Sequence, residues 1–423
     1  MGKPYDSELG DLPRTYEWAR TVDIDALAAS IRRYAEVPLV AVGSGGSLTS
    51  AYFACLLHSL YTGRLARPMT PYELVGSPVH LGGLGVLFLT ARGGNPDILD
   101  SFDIAVRRVP RRIGLLCTRT GSPLVTRAAD VAGAEIHEFD LPTIKDGFLA
   151  TNSLLATSVL LARAYQLDPP SSDSLASRFE ELVHPGQSGQ EFHADLSHRC
   201  RALWDRPTTL VLHGQTTQPA AIDLESKFTE AALGHLQLAD YRNFAHGRYH
   251  WLAKHGEGCA VLSLASADDV DLAEKTLGLL PGNIPKARLQ VENGVSGSLK
   301  ALALSLFIAG LAGRARVVDP GRPRVPAFGR KLYHLGGAYR VRAVPRIGEA
   351  EAVAITRKAG ASIRTLSAQG TLQRWRQAYA LFTEQLCSTP FKAIVLDYDG
   401  TLCDASERYS CLSCGVRPAA VSR

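Results

Sequence analysis

The chain has 423 residues, with 46 lysines and arginines against 41 aspartates and glutamates and a formal charge of +5. Both signs are interspersed and no long basic block occurs, which speaks against nucleic acid as a partner. Two uncharged, helix-like apolar runs, residues 147–162 and 301–313, fall short of the ~20 apolar residues of a spanning helix; they read as buried helices, with no membrane partner.

The opening residues, MGKPYDSELGDLP, lack a charged-then-apolar leader, and Asp6 stands where a myristoylation signal has Ser or Thr. A cytoplasmic protein is expected. In chain order the first half predicts strands at PLVAV (38–42), GVLFLT (85–90), RIGLLCT (112–118) and AEIHEF (134–139). Helical patterns such as LTSAYFACLLHSLYTG and NPDILDSFDIAVRRV separate them. DPPSSDSLASRF (168–179) is a Pro/Ser-rich break. The second half repeats the alternation, with strands at TTLVLHG (208–214), GCAVLSLA (258–265), ARLQVE (287–292) and ARVVD (315–319). Its helices are AAIDLESKFTEAALGHL and DVDLAEKTLGLL. Strands alternating with helices imply a parallel sheet covered on both faces, here twice over. Beyond residue 346, EAEAVAITRKAGASIRTL and LQRWRQAYALFTEQL have amphipathic helical spacing.

Eight cysteines are scattered, mostly in apolar stretches, as reduced core thiols are. Cys411 and Cys414 form the one C-x-x-C, with neither a second pair nor two histidines at matching spacing. No metal is assigned and no cofactor is implied.

Three polar turns follow the first three predicted strands: VGSGGS (42–47), TARGGNPD (90–97) and CTRTGSPL (117–124). Each passes from an apolar strand into a helix. In a parallel sheet such turns converge at the carboxyl edge, where α/β proteins bind ligands. A Gly-rich turn at a helix start frees backbone N–H groups toward an anion, and Ser44, Ser47 and Thr49 add hydroxyls. Gly43 and Gly45 match the start of the dinucleotide fingerprint, but Leu48 occupies its last position, and the lysine of a P-loop is missing.

Over roughly residues 20–345 the chain resembles tandem sugar isomerase (SIS) proteins, namely the isomerase half of glucosamine-6-phosphate synthase and fructosamine-phosphate deglycases. The resemblance implies two SIS domains, each a parallel sheet flanked by helices, at residues 21–168 and 193–345. A segment 1–20 precedes them, and a linker and helix at 169–192 join them. By the same resemblance Ser44, Gly45 and Ser47 hold a sugar phosphate. Thr90, Arg92 and Asn95 stand where the family has three hydroxyl residues, with Arg92 able to bind phosphate bidentately. Thr151 and Ser153, in DGFLATNSLLA, are candidates for a further substrate contact. DLESKFTEAALGHLQLADYRNFAHGR (223–248) resembles the family's E-x-x-x-K-x-x-E helix and His-Gly loop.

Asp223, Lys227 and Glu230 share one helix face by their spacing. The resemblance implies Glu230 as the base that moves a proton between C1 and C2 of an open-chain sugar, with Lys227 lining the site. It implies His246 as the aid to ring opening, reaching the site from a partner subunit and so requiring a homodimer. His250 is a possible substitute. Lys331, in VVDPGRPRVPAFGRKLYHL, falls at the lysine that engages the open-chain carbonyl. The synthase's N-terminal nucleophilic cysteine has no counterpart before the first strand, so an isomerase or a deglycase of a phosphorylated sugar or amino-sugar is expected. A binding-only phosphosugar sensor or scaffold stays open as the second function class.

A helical connector (346–389) leads to VLDYDGTLCD, which resembles the opening motif of haloacid-dehalogenase-type (HAD-like) phosphatases. There the first aspartate attacks phosphorus and the second moves a proton, which would be Asp397 and Asp399. The remaining residues leave no room for the other strands and acidic pair of that fold. Residues 390–423 are therefore expected to be a truncated HAD-like fragment with both aspartates vestigial.

Overall fold

A computed structural model of the chain describes residues 2–79, 81–143, 145–166, 175–333, 335 and 347–390. It divides into two units, Met1–Glu349 and Ala350–Arg423. In the first unit α1 (Tyr5–Gly10), α2 (Leu12–Thr21) and α3 (Asp25–Tyr34) precede β1 (Leu39–Val42) and α4 (Gly46–Thr62). The alternation continues through β2 (Ala66–Met69), α5 (Pro71–Gly76), β3 (Gly85–Thr90), α6 (Pro96–Arg107), β4 (Arg112–Cys117), α7 (Pro123–Ala129) and β5 (Glu135–Glu138). Then α8 (Asn152–Tyr165), α9 (Phe179–Val183) and α10 (Gly189–Cys200) lead to β6 (Thr208–His213), α11 (Gln218–Glu230) and β7 (His235–Asp240). The unit closes with α12 (Tyr241–Asn243), α13 (Tyr249–His255), β8 (Cys259–Ala265), α14 (Val270–Leu279), β9 (Lys286–Gln290), α15 (Gly294–Ala315) and α16 (Ala327–Tyr333).

Local chemistry sets many of these boundaries. Asn95 and Ser122 each cap a helix that opens with proline, a residue that needs no N–H at the first helical position. Thr70 with Glu73 and Ser188 with Glu191 form reciprocal capping boxes at α5 and α10.

Both sheets are wholly parallel among the described residues. Their orders are β2-β1-β3-β4-β5 and β7-β6-β8-β9, with Leu39 opposite Gly85 and Thr208 opposite Cys259. Successive strand residues point to opposite faces, and here both faces are buried. Leu39, Ala41, Leu87 and Leu116 join Val211, Leu262 and Leu289 in one core shared by the two sheets. Helices α4, α8, α11 and α15 pack on one another within that core. Val40, Val42, Val86 and Phe88 face the other way, into a core beside α6 and α7, where Phe88 meets Phe102 edge-on at 5.3 Å. Leu210, Leu212 and Val261 do the same beneath α13 and α14. Helix α15 is long and apolar enough to cross a membrane by composition, but its residues lie in the shared core.

Two expectations are corrected. ARVVD is not a strand: α15 runs to Ala315, Val317 adopts φ 57°, and the Val318 N–H bonds back to the Gly313 carbonyl, a left-handed helix end. AAIDLESKFTEAALGHL does not remain helical to its end, because α11 stops at Glu230 and His235 already opens β7.

In the second unit α17 (Glu349–Ala359), α18 (Ile363–Ala368) and α19 (Leu372–Ser388) follow one another, and Arg376 pairs with Glu351 at 2.9 Å. Asp397, Asp399 and the C-x-x-C lie outside the described residues.

Candidate functional site

The turn after β1 opens the site. Gly45 has φ 55° and ψ −135°, a backbone shape that strains any residue with a Cβ. A Cβ added there would lie 3.8 Å from Glu230 Oε1, so the first Gly-rich turn and the end of α11 face each other directly. Ser44 and Gly45 are exposed and Ser47 is half-buried. The next residue, Gly46, is pressed against the Ala150 methyl, leaving no room for a side chain. The loop before α8 thereby joins the same rim.

The turn after β3 uses two of its three candidate side chains on itself. Thr90 Oγ1 accepts the Gly93 N–H at 3.0 Å, and Asn95 Oδ1 accepts the Asp97 N–H at 2.8 Å. Arg92 is exposed, and its Nη2 donates a long bond, 3.4 Å, to the Asp146 carbonyl. The turn after β4 docks beside it through the Leu124 N–H and the Gly93 carbonyl at 2.9 Å.

Thr151 and Ser153 are buried and bonded to carboxylates of the chain itself. Thr151 Oγ1 donates to Glu8 Oε2 at 2.6 Å and lies 3.0 Å from Asp146 Oδ1. Ser153 Oγ donates a short bond to Asp146 Oδ2. The Asp146 carboxylate also accepts the backbone N–H groups of Thr151 (3.2 Å), Asn152 (2.9 Å) and Ser153 (3.1 Å). Behind it Glu8, wholly buried, accepts the Gly147 N–H. Burial pushes the Glu8 carboxyl up to about 7 against the lowering effect of its bond from Thr151.

On α11 the helix face predicted from spacing divides in two. Asp223 and Lys227 are buried and form an ion pair at 2.5 Å, with Ser305 Oγ on Asp223 Oδ2 at 2.6 Å and Thr49 Oγ1 at 3.4 Å from Oδ1. Lys227 thus points into the protein, away from solvent. One turn on, Glu230 accepts from Ser226 Oγ at 2.6 Å. More than a third of the residue's surface reaches water, yet protein crowds its carboxyl closely enough that desolvation raises its pKa, with Ser226 opposing.

His246 sits in a distorted helical stretch, Phe244–Arg248, where Gly247 takes φ 108°. His246 and His250 are both exposed, and His250 stacks on Tyr249 at 4.7 Å. Lys331 is exposed on α16, a helix with no buried residue. The structure therefore brings together Ser44, Gly45, Ser47 and Glu230, while His246 and Lys331 sit on the surface of other elements.

Glu8 and Asp146 were not among the residues singled out from sequence. The signal for Asp146 is an aspartate five residues before a Thr-Asn-Ser helix start. For Glu8 there is none, since its partners are tertiary. The turn after β6 repeats the strand–turn–helix pattern of the first half. There Thr217 Oγ1 accepts the Gly214 N–H at 3.1 Å, and burial lowers the pKa of His213.

No family model matches the sequence, and no curated protein resembles it significantly. Solved structures do resemble the fold. The C-terminal domain of glucosamine-fructose-6-phosphate aminotransferase from Francisella tularensis superposes with a TM-score of 0.58 at 13% identity, over 75% of this chain and 98% of that one. Tagatose-6-phosphate ketose/aldose isomerase from Escherichia coli gives 0.56 at 15%, over 77% and 98%. Glucosamine-6-phosphate deaminase from Thermotoga maritima gives 0.53 at 13%, over 76% and 97%. At such identities the likeness defines the architecture, an α/β fold of parallel sheets flanked by helices.

Proposed function

We propose that the chain is a tandem SIS-domain protein that binds a phosphorylated sugar or amino-sugar and moves a proton between C1 and C2 of its open-chain form. The observation that carries this reading is the approach of Glu230 to the Gly45 turn. In this reading a turn of serine hydroxyls and backbone N–H groups holds the anion beside a carboxylate whose pKa desolvation raises. The phosphate would anchor the sugar at the Ser44–Ser47 and Arg92 turns. Glu230 would take the proton from the carbon beside the carbonyl and return it to the neighbouring carbon, giving ketose from aldose or the reverse. The neighbours named above, by their names an aminotransferase domain, an isomerase and a deaminase of phosphorylated sugars, support the substrate class.

His246 for ring opening and Lys331 at the carbonyl complete the chemistry only if these surface residues are delivered to Glu230, His246 by a second subunit of a homodimer. Thr90 and Asn95 shape the turn that presents Arg92. Lys227, Thr151 and Ser153 hold the site's walls from within. The same internal commitments favour a second reading, a phosphosugar sensor that binds without turnover. Incubating the chain in D₂O with a panel of sugar phosphates and fructosamine phosphates, and following the C1 and C2 protons by NMR, separates the readings. Deuterium entering C1 or C2 with the wild type and not with Glu230→Gln supports the enzyme. Binding without exchange supports the sensor.

A further inference from the structure

A second cavity lies on the opposite side of α15 from the Asp223 ion pair. Ser305, which bonds Asp223, and Phe307, which lines the cavity, are two residues apart on the helix and so point to roughly opposite faces. The cavity measures about 590 Å³, inside the roughly 300–1,000 Å³ range of small-molecule sites. Helices α1, α9, α10 and α15 bound it. Its floor is aromatic. Phe179, Phe192 and Phe307 are all buried, and Phe192 meets Phe307 edge-on at 5.2 Å. His184 stacks on Phe192 at 4.9 Å, and His193 meets Phe307 edge-on at 5.2 Å. The polar groups left around this floor are acceptors. Among the described residues the one lysine or arginine that lines it, Arg314, already pairs with Asp6 at 3.0 Å. Glu180 Oε2 is shielded from water and has no hydrogen-bond partner among the described residues; Arg178 Nε, outside the lining, stands 3.5 Å away. His184 Nδ1 lies 2.8 Å from the Gln187 carbonyl, so in the neutral ring it carries the proton and Nε2 keeps a lone pair. Burial, with Arg314 and His184 adding to it, holds the His193 pKa below its ordinary value, so that ring is uncharged at neutral pH.

We infer that this cavity is a second binding site, separate from the Glu230 turn, for a small aromatic molecule that carries an ammonium group. The rings of Phe192, Phe307 and His184 receive the aromatic body. Ring faces and the unbonded Glu180 oxygen together favour a cation. An anion in the same place finds no free guanidinium and meets the like charge of Glu180. A neutral hydrocarbon leaves Glu180 Oε2 without a donor, a cost that an ammonium N–H removes. The site stands independently of the phosphosugar reading, because none of its lining residues belongs to the Gly45 or Arg92 turns.

The test titrates the full chain calorimetrically at neutral pH with three probes of one shape: phenethylamine, which is protonated there, phenylacetate and phenethyl alcohol. The wild type is expected to bind phenethylammonium about tenfold or more tightly than either of the others, the gain of one charge-assisted bond. Glu180→Gln is expected to remove that preference and to leave the binding of phenethyl alcohol unchanged. Phe192→Leu keeps an apolar side chain but loses the ring, and is expected to weaken all three probes, the ammonium most. Circular dichroism first establishes that each variant is folded. Glu180→Gln, a change of charge on a half-buried residue, guards against the core substitution failing to fold. The proposal is overturned if phenethylammonium does not saturate the wild type at millimolar concentration, if phenylacetate binds as tightly, or if folded Glu180→Gln keeps the preference for the ammonium. Ammonium binding of wild-type strength in both variants would place the amine elsewhere on the chain and overturn it equally.

Discussion

Lys227 Nζ stands 2.5 Å from Asp223 Oδ1, one turn apart on α11, with both side chains all but sealed from solvent. Ser305 and Thr49 complete the shell around the carboxylate, so the pair ties α11 to α15 and to α4. Removing one partner of such a pair leaves an uncompensated buried charge, which costs about 3–5 kcal/mol. Lys227→Met is expected to lose that much in urea unfolding. Lys227→Met with Asp223→Asn is expected to recover a good part of it, since no charge then remains buried. A substrate-binding role for Lys227 would give the opposite pattern, with ligand affinity lost and stability kept.

The raised pKa of Glu230 has a sign that can be followed. A general base works in its ionised form, so exchange activity climbs as pH rises through its pKa. Because burial raises that pKa, the ascending limb is expected above the ~4.3 of an ordinary glutamate. Glu230→Gln is expected to lower the rate of C1/C2 proton exchange by about 10²–10⁴ and to abolish the limb. The pH profile of solvent deuterium incorporation reads both. A limb that persists in Glu230→Gln would assign the base elsewhere.

The sequence makes the parallel sheets legible because their inner strands are short apolar runs between polar turns, as GVLFLT is at Gly85–Thr90. Edge strands are harder to see. β2 reads ARPM, with Arg and Pro on a half-exposed edge where ladder bonds are needed on one side only. β7 hides behind a helical pattern that reads on through AALGHL, but Ala232 (φ 55°) and Gly234 (φ 143°) turn the chain out of α11 before His235 opens the strand. In the site, the turns and the order of Asp223, Lys227 and Glu230 were readable, since spacing alone fixes a helix face. Whether a residue on that face points at solvent or at the core was not. The commitment of Thr151 and Ser153 depends on Glu8, which only the tertiary fold brings to them.

Glu8 gives the fold a pH dependence. Its carboxyl is wholly buried and pushed up to about 7 by desolvation. A folded-state pKa above the unfolded one means the protonated form is favoured in the fold. The stability this contributes is fully present below about pH 4.3 and is lost as pH rises through about 7. At about 1.4 kcal/mol per pH unit, a rise from 4.5 to about 7 corresponds to at most about 3.5 kcal/mol. Glu8→Gln is expected to flatten the decline in unfolding free energy between pH 5 and about 8, as measured by urea titration at several pH values. Parallel curves for wild type and variant would remove Glu8 as the source.

Arg92 separates a ligand role from a structural one. It is exposed, and its bond to the Asp146 carbonyl is long. Its removal is expected to change stability by no more than about 0.5 kcal/mol, as for other surface substitutions. If its guanidinium grips a phosphate, the loss of charge-assisted bonds worth about 1.5–3 kcal/mol lowers affinity by roughly 10- to 100-fold in Arg92→Gln. Arg92→Lys keeps the charge but not the planar fork that matches phosphate geometry, so it is expected to recover only part of the affinity. Calorimetric titration with a sugar phosphate at constant salt, beside thermal unfolding of the same samples, reads both quantities. Equal affinities in all three proteins would place the phosphate at the Ser44–Ser47 turn alone and leave Arg92 a bystander at the rim.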